Sequence, residues 1–327
     1  AVTPHSLSRA LSLLGSVPIF GFCVAISARG TLVVFFSRHT PQLTAIAPPC
    51  YADLGKQARD LFNKNYHFGV VKLDCKSTTQ TGVEFNVSGT SLNDTGKVNA
   101  SLETKYKIPE YGLTLKEKWN TDNTLSTEIC SEEKLARGLK VAFHANFAPQ
   151  TGKKSGALRT AYKLDNVHLN GDVDLGPPGP IVHGAAVLHY QGWLAGGQVS
   201  FDTTKNRLSK TNFAVGFQAG DFGVHTNVND GQEFAGSVFQ RVNPNLQTGV
   251  QLAWTAGTNA TRFGLGCVYD LDKETSVRAK VNNSGQIGLG FTHRLRPGIS
   301  LTLSTMLDGK NFNQGGHKLG LGLDLSA

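Results

Sequence analysis

The sequence predicts an all-β membrane barrel with one short helix near its N-terminal side. Three observations lead to this fold class. From residue 68 onward apolar residues recur at every second position, turn sequences separate these runs at regular intervals, and the intervening positions are mostly small or polar. Period-two alternation places successive side chains on opposite faces of a strand. The 37 glycines and 12 prolines suit many strands joined by tight turns.

The last strand shows the alternation clearly, because Leu319, Leu321, Leu323 and Leu325 would share one face of an extended chain. The same pattern recurs over residues 83–88, 139–144, 213–218, 250–255, 287–292 and 299–304. One strand with its turn takes roughly 12 to 16 residues, which gives roughly 17 to 20 strands after residue 68. A tilted strand of about ten residues is long enough to cross a bilayer.

The composition of the two strand faces separates a membrane barrel from a soluble sandwich. The non-apolar face carries mainly Gly, Ser, Thr, Asn and Gln, with basic residues such as Arg159 and Lys163 interspersed. Such a face suits a water-filled interior, whereas leucine, valine and aromatic residues suit lipid. Because lipid offers no hydrogen-bond partners, the sheet has to close on itself. A soluble β-sandwich carrier is the disfavoured alternative.

Residues 51–64 have the period of a short amphipathic helix. Its apolar residues share one face: Tyr51, Leu54, Ala58, Leu61 and Phe62. Its charged residues share the opposite face: Lys56, Arg59, Asp60 and Lys64. The helix is too short and too charged to span a membrane.

Residues 1–49 differ from the rest of the chain and form an atypical extension. They contain Arg9, Arg29 and Arg38 but no acidic residue, and residues 11–28 are an uncharged, apolar run. A targeting segment, a signal anchor and an extension without a role in the fold are three interpretations of this pattern. The predicted organisation is therefore an extension at 1–49, a helix and hinge at 50–66, and a barrel at 67–327.

Several classes of site are disfavoured by the residue pattern. The five cysteines are scattered without a CxxC pair, and the ten histidines show no paired ligand spacing, so we predict no metal site and no cofactor. The formal charge is +8, but the sequence has no basic cluster of the kind that binds nucleic acid. The charge therefore indicates only a mild preference for small anions. No Ser-His-Asp order or carboxylate pair indicates an enzyme.

Five stretches resemble the voltage-dependent anion channels, the eukaryotic mitochondrial porins. They are LETKYK at 102–107, EKWNTDNTL at 117–125, GWLAG at 192–196, LAWTAG at 252–257 and GGHKLGLG at 315–322. The resemblance covers residues 51–327 and leaves out 1–49. It implies a barrel of about nineteen strands with the helix inside the pore. An odd count implies one parallel pair, here between residues 69–78 and 317–325.

The resemblance also implies a function. Members of the family are voltage-gated, weakly anion-selective channels for passive diffusion of ATP, ADP, phosphate and small ions across the mitochondrial outer membrane, with the plasma membrane as a minor site. Implied partners are the bilayer and sterols, ATP, ADP and NADH as permeants or weak ligands, hexokinase, Bcl-2-family proteins and further copies of the chain. The alternative is a poorly conducting scaffold of the same fold that binds hexokinase or apoptosis regulators.

Basic residues are the site residues that the resemblance assigns to the pore. Lys56, Arg59 and Lys64 match helix positions that line the narrowest part and attract anions, and Arg159 and Lys163 would add to this preference. Fixed cations in a confined aqueous lumen lower the energy of a passing phosphate. The alternative interpretation is that the helix cations are simply the solvated face of an amphipathic helix.

The nucleotide-binding residues implied by the family are Lys56, Lys64, Lys318, Leu319 and Gly320. The glycines around Lys318 are in a predicted strand, so they are not a phosphate-binding loop. Instead, they would allow close backbone approach at the parallel pair. The spacing of Lys318, Gly320, Leu323 and Leu325 also resembles the C-terminal signal that directs barrels to outer-membrane insertion machinery.

Glu117 is predicted to face lipid, because it shares a strand face with Leu113, Leu115 and Trp119. A carboxylate in lipid is costly and is therefore a functional candidate. The resemblance implies a role in gating, hexokinase docking and Ca²⁺ response. The alternatives are a position near the membrane interface and a protonated side chain.

The hinge between helix and barrel departs from the family. The family has Gly-Tyr-Gly-Phe-Gly, whereas this chain has Asn65 and His67 in place of the first two glycines and keeps Gly69. Glycine adopts positive φ angles without strain. The two substitutions therefore predict a stiffer hinge and weaker voltage gating.

Overall fold

The computed structural model of the protein describes residues 22–26, 32–36, 48–134, 136–258, 260–310 and 315–327. The chain divides into two units, residues 1–44 and 45–327. In the first unit, β1 (Phe22–Ile26) pairs antiparallel with β2 (Leu32–Phe36). Most of the stretch interpreted as a targeting segment or anchor lies outside the described residues. Among the helices described, none has the length and apolar character needed to cross a membrane.

The second unit begins with a 3-10 turn (Tyr51–Asp53) and the helix α1 (Lys56–Asn63). The strands that follow are β3 (Val70–Thr78), β4 (Val83–Leu92), β5 (Val98–Ile108), β6 (Leu113–Asn120), β7 (Leu125–Glu132), β8 (Leu139–Ala148), β9 (Lys153–Lys163), β10 (Val167–Leu175), β11 (Ile181–Tyr190), β12 (Trp193–Asp202), β13 (Arg207–Ala219), β14 (Phe222–Asn229), β15 (Glu233–Asn243), β16 (Leu246–Thr255), β17 (Ala260–Asp270), β18 (Thr275–Asn282), β19 (Gln286–Arg296), β20 (Ile299–Asp308) and β21 (Lys318–Ser326).

Strands β3 to β21 form one closed barrel in which sequence neighbours pair antiparallel. The barrel closes where β21 pairs parallel with β3, with Leu321 opposite Val71 and Leu323 opposite Leu73. The predicted nineteen-strand barrel and its single parallel pair are confirmed. Closure leaves neither strand with an unpaired edge, which a lipid environment requires.

The two faces of the barrel differ as the alternation predicts. Outward side chains include Leu73, Trp119 and Phe213, which are 42%, 60% and 60% exposed. Inward side chains are polar or small, such as Lys72 on β3 and Gly322 on β21, which pair across the seam. A continuous apolar surface of this extent is far beyond the patch that a soluble monomer exposes. It fits contact with lipid around a wet interior.

The N-terminal helix is shorter than the predicted 51–64, and this part of the prediction is wrong. Gly55 interrupts it with φ +67, in the left-handed region. Besides this backbone conformation, which favours glycine, lack of space also favours glycine at position 55. A Cβ there would lie 2.9 Å from Nδ1 of His225. The predicted apolar face survives the break, since Leu54, Leu61 and Phe62 are all buried.

Candidate functional site

The candidate site is the lumen, whose inner wall holds residues 48–69, here called the N-terminal segment. The segment crosses the wall from β10 towards β21. At its start the carbonyl oxygen of Pro48 lies 3.1 Å from Nδ1 of His168 on β10. Near its end the backbone N–H of His67 donates to Ser304 Oγ on β20 at 3.0 Å. The segment is therefore attached to the barrel along its length.

Two buried apolar clusters hold the segment against the wall. The first joins Leu54 to three wall residues: Val187 on β11, Leu194 on β12 and Ala214 on β13. The second joins α1 to β15 and β17 through five residues: Ala58, Leu61, Phe62, Phe239 and Val268. Burying such side chains stabilises the contact by about 1.5–3 kcal/mol each. The predicted position of the helix inside the barrel follows from these clusters.

Inward-facing glycines make room for the segment, and we call them the glycine track: Gly196, Gly249, Gly264, Gly266, Gly288, Gly290, Gly320 and Gly322. A Cβ added at Gly266 would lie 2.9 Å from Cε1 of Phe62. One added at Gly288 would lie 2.7 Å from Cζ of Phe68. Real Cβ atoms cannot approach this closely, so the wall is shaped for the segment.

His67 lies directly over the parallel seam. A Cβ at Gly320 would collide with the carbonyl oxygen of His67, and one at Gly322 would lie 2.7 Å from its Nε2. The next contact along the chain is a hydrogen bond from the Gly69 N–H to the Leu319 carbonyl at 3.0 Å. Burial, and then the charge of Lys72, lower the pKa of His67, so the ring is neutral at physiological pH.

The hinge contains two residues with positive φ, Asn65 at 62° and Gly69 at 72°. Asparagine enters the left-handed region more readily than most non-glycine residues. Asn65 therefore adopts one of the conformations that the family's glycine would supply. Neighbouring Tyr66 packs beside the glycine track, and burial raises its pKa to about 12 despite the opposing charge of Arg278. Its hydroxyl thus stays neutral.

The charged face of α1 points away from the wall. Lys56 is 57% exposed and forms an ion pair with Asp53 at 3.3 Å. Hydrogen bonding from Cys50, and then from Lys56, lowers the pKa of Asp53. Arg59 is exposed and donates to the Ala52 carbonyl, and Lys64 is exposed as well. The three predicted helix cations are therefore all exposed on the segment.

The wall formed by β3 to β8 carries charged side chains instead of glycines. Its ion pairs are Lys72–Asp74, Lys105–Glu84, Lys107–Glu84, Lys116–Glu103, Lys116–Glu128 and Lys140–Glu132. On the neighbouring β9, Arg159 and Lys163 pair across the ladder with Asp172 and His168 of β10. They face the lumen, but from a different part of the wall than α1 contacts. Together these groups make the opposite wall hydrophilic.

The three predicted nucleotide-binding residues of β21 do not share one environment. Lys318 faces inward and forms an ion pair with Asp94 at 2.8 Å. Leu319 points outward and is 70% exposed. Gly320 faces inward but lies beneath His67. Only Lys318 of the three presents a side chain to the lumen.

Glu117 on β6 lies on the outer surface, as the alternation predicts. Its cross-strand neighbours are Thr104 on β5 and Thr127 on β7. Along its own strand, Leu115 and Trp119 share its face. The side chain is exposed on that face, so the carboxylate lies on the outside of the barrel.

The described residues contain no group of three or more histidine, cysteine or acidic side chains arranged to hold a metal ion. Four cysteines after residue 48 are free thiols: Cys50, Cys75, Cys130 and Cys267. What the lumen offers chemically is a set of fixed charges in a wide aqueous passage, with an apolar segment along one side. Such a passage can select solutes by charge and size.

Comparison with known proteins agrees with this architecture. A family model described as "Eukaryotic porin" matches residues 47–320. "Non-selective voltage-gated ion channel VDAC2" from Xenopus laevis is 61% identical over 280 residues, which cover 86% of this chain and 99% of that protein. The protein of the same name from Meleagris gallopavo is 57% identical over 296 residues, covering 90% and 100%.

Among solved structures, an engineered variant of Rh. blastica porin covers 79% of this chain and 95% of its own, with 10% identity and a TM-score of 0.41. No conclusion rests on so distant a likeness. The family model and the high identity over nearly the whole length of the relatives are sufficient. The chain belongs to the eukaryotic porin family.

Proposed function

We propose that the chain is a voltage-gated, weakly anion-selective channel through which ATP, ADP, phosphate and small ions diffuse across the mitochondrial outer membrane. As a eukaryotic porin, it belongs to a channel family and not to an enzyme family. The observation that carries the proposal is the closed barrel with an apolar outer surface and a charged inner wall. The relatives are named voltage-gated ion channels.

The excess of basic residues facing the lumen supports anion preference. Inward basic residues of the strands are Lys72, Lys76, Lys105, Lys107, Lys116, Lys118, Lys140, Lys153, Arg159, Lys163, Arg207, Lys210, Arg241, Arg262, Arg278, Lys280, Arg294 and Lys318. Inward acidic residues are Asp74, Glu84, Glu103, Glu128, Glu132, Asp172, Asp174, Asp202, Glu233, Asp270, Asp308 and Asp324. The first set is larger, so the passage favours anions, and the mixture of signs keeps the preference weak.

The transport part of this proposal is tested with proteoliposomes loaded with ATP and a large fluorescent dextran. We expect the reconstituted chain to release ATP while the dextran stays inside. Protein-free vesicles loaded in the same way are the control. Full membrane insertion without ATP release would instead favour the second candidate, a poorly conducting scaffold that binds hexokinase or apoptosis regulators. The altered hinge is the observation that favours this candidate.

Further parts of the proposal concern location and partners. The C-terminal strand matches the spacing of an outer-membrane insertion signal, which supports the mitochondrial outer membrane, with the plasma membrane as a minor site. We propose the bilayer and sterols as the surroundings of the outer face. NADH, hexokinase, Bcl-2-family proteins and further copies of the chain are proposed partners. Lys56, Lys64 and Lys318 present cationic groups that would contact nucleotides in transit, alongside the backbone at Leu319 and Gly320.

The helix cations are expected to contribute measurably to anion preference. Replacing Lys56, Arg59 and Lys64 together by glutamine should shift the reversal potential in a KCl gradient towards the cation side, because three exposed positive charges leave the lumen. The shift should shrink as salt rises, since the Debye length falls to about 3 Å at 1 M. Lys154→Gln is the matched control, because Lys154 lies on the outer face beside Phe147. An unchanged reversal potential in the triple variant would show that the helix charges are merely solvated.

The hinge residues are expected to restrain gating. The variant carrying Asn65→Gly and His67→Gly should close at smaller voltages and more completely than the natural chain, because it regains conformational freedom and loses the His67 contacts over Gly322. Conductance against voltage in planar bilayers measures this. Asn123→Gly removes a different positive-φ asparagine, at 63°, and should leave closure unchanged. If the natural chain and the double variant closed at the same voltage and to the same extent, the hypothesis of a stiff hinge would be wrong.

Glu117 is expected to destabilise the barrel while serving gating or docking. In lipid vesicles Glu117→Gln should raise the free energy of unfolding by roughly 1–3 kcal/mol, because a charged carboxylate on the lipid face is costly. Denaturant-induced unfolding at pH 8 measures this. Glu110→Gln, in the turn before β6, is the matched control and should change stability little. No gain in stability at Glu117 would favour a position near the membrane interface or a protonated side chain.

A further inference from the structure

Lys280 of β18 makes three contacts with the N-terminal segment. Its Nζ donates a hydrogen bond to the carbonyl oxygen of Phe62 at 2.6 Å. The same ammonium lies 4.2 Å from the ring centroid of Tyr66 and 5.0 Å from that of Phe68. The two rings are themselves 5.3 Å apart. One lysine thus binds both the end of α1 and the hinge that follows it.

Each contact suits a cation. Phe62 lies in the last turn of α1, where carbonyl groups lack partners within the helix and the helix dipole is negative. A lysine there supplies the missing donor and a favourable charge. The faces of Tyr66 and Phe68 attract the ammonium through their ring quadrupoles. Hydrogen bonds from charged donors are also stronger than those between neutral groups.

The wall around Lys280 is shaped for this arrangement. Lys280 pairs across the ladder with Gly288 of β19. A Cβ at Gly288 would lie 2.7 Å from Phe68 Cζ and 3.0 Å from Lys280 Cγ. Beside it, Gly290 pairs with Arg278, and a Cβ there would lie 3.5 Å from both the Arg278 Cβ and the Tyr66 ring. Glycine at these two positions lets the lysine and the rings stack against bare backbone.

We propose that Lys280 is the latch that holds the N-terminal segment to the wall in the open channel, and that its release is a step in voltage-dependent closure. The proposal rests on the proposed channel function. It separates two roles among the inward cations. Lys280 directs its charge at the segment and acts as a positioning residue. Cations such as Lys116, on the opposite wall and paired with Glu103 and Glu128, act on the ions in the lumen.

Planar-bilayer recording of Lys280→Met separates these roles. Methionine keeps an unbranched apolar stem but removes the donor and the charge. We expect the ratio of closed to open channels at a fixed voltage to rise about tenfold, as for loss of one charge-assisted hydrogen bond. The reversal potential should shift less than in Lys116→Met, because the ammonium of Lys280 contacts the N-terminal segment. Lys116→Met should do the opposite, by shifting the reversal potential and leaving the closing voltage unchanged. Lys280→Arg, which keeps charge and donors, should retain natural closure.

A second measurement detects release of the N-terminal segment when no voltage is applied. Trypsin cleavage of the full-length chain in detergent at Lys56, Arg59 and Lys64 should be about tenfold faster in Lys280→Met than in the natural chain, if local release controls access. Lys116→Met should be cleaved at the natural rate. Natural closure and natural cleavage in Lys280→Met would overturn the latch while leaving the channel intact. A natural chain that does not conduct would contradict the channel function itself.

Discussion

Gly266→Leu is expected to drive α1 off the inner wall. The added side chain would occupy the space that Phe62 and Leu61 fill, because even a Cβ at this position would lie 2.9 Å from Phe62 Cε1. Displacing α1 would expose both side chains, and the burial of each contributes about 1.5–3 kcal/mol. The contact between α1 and β17 cannot survive a loss of this size.

The displacement of α1 is measured by trypsin cleavage at Lys56, Arg59 and Lys64 in the reconstituted full chain, with conductance recorded in parallel. Cleavage should become fast, and the steady open level should break into fluctuating sublevels. Gly184→Leu is the matched control, since Gly184 lies on β11 in open space with no atom within 4 Å of an added Cβ. If Gly266→Leu resisted cleavage as well as the natural chain does, α1 would not be packed on β17.

Gly320→Val is expected to weaken barrel closure. An added Cβ would collide with the His67 carbonyl and lie 2.8 Å from Ser304 Oγ. Either the segment leaves the seam or β21 shifts from β20 and β3. Overpacking of this kind typically costs about 1–3 kcal/mol and occasionally more. Because the seam joins β3 and β21, the first and last strands of the barrel, we also expect a lower yield of inserted barrel.

Urea titration of vesicle-inserted protein measures this loss. Leu321→Val on the same strand is the control, because Leu321 faces outward opposite Val71 and its side chain can change size against lipid. We expect a clearly lower midpoint for Gly320→Val and a small change for Leu321→Val. Equal midpoints would mean that His67 does not occupy the seam as described.

Much of the barrel could be predicted because strand periodicity is a local property. The alternating leucines of β21 reveal a face, and the face composition reveals which side is wet. Spacing alone predicts a range of roughly 17 to 20 strands, and the resemblance supplies the value of nineteen together with the parallel pair. The break at Gly55 had a local signal, since glycine readily adopts the positive φ seen there, but the contact with His225, 170 residues away in the sequence, could not be predicted.

The candidate site could be predicted in part. The alternation of side chains along β6 predicts that Glu117 lies on the outer face. The amphipathic pattern predicts that Lys56 and Lys64 lie opposite the buried face of α1. The glycine track and the contacts of Lys280 were missed. Alternation shows that a residue faces inward, but not which part of the chain it meets there. A usable signal was present, because inward glycines recur on β16, β17, β19 and β21, where a polar wall would carry side chains.

The most direct test of the channel assignment is the conductance of the reconstituted full chain as a function of voltage across a KCl gradient. The structure predicts a large aqueous conductance near zero voltage, a reversal potential on the anion side, and a lower conductance at high voltage of either sign. The charge-lined lumen sets the first two results, and the N-terminal segment on the glycine track sets the third. A chain that inserts without conducting, or that conducts with cation preference, would contradict the account.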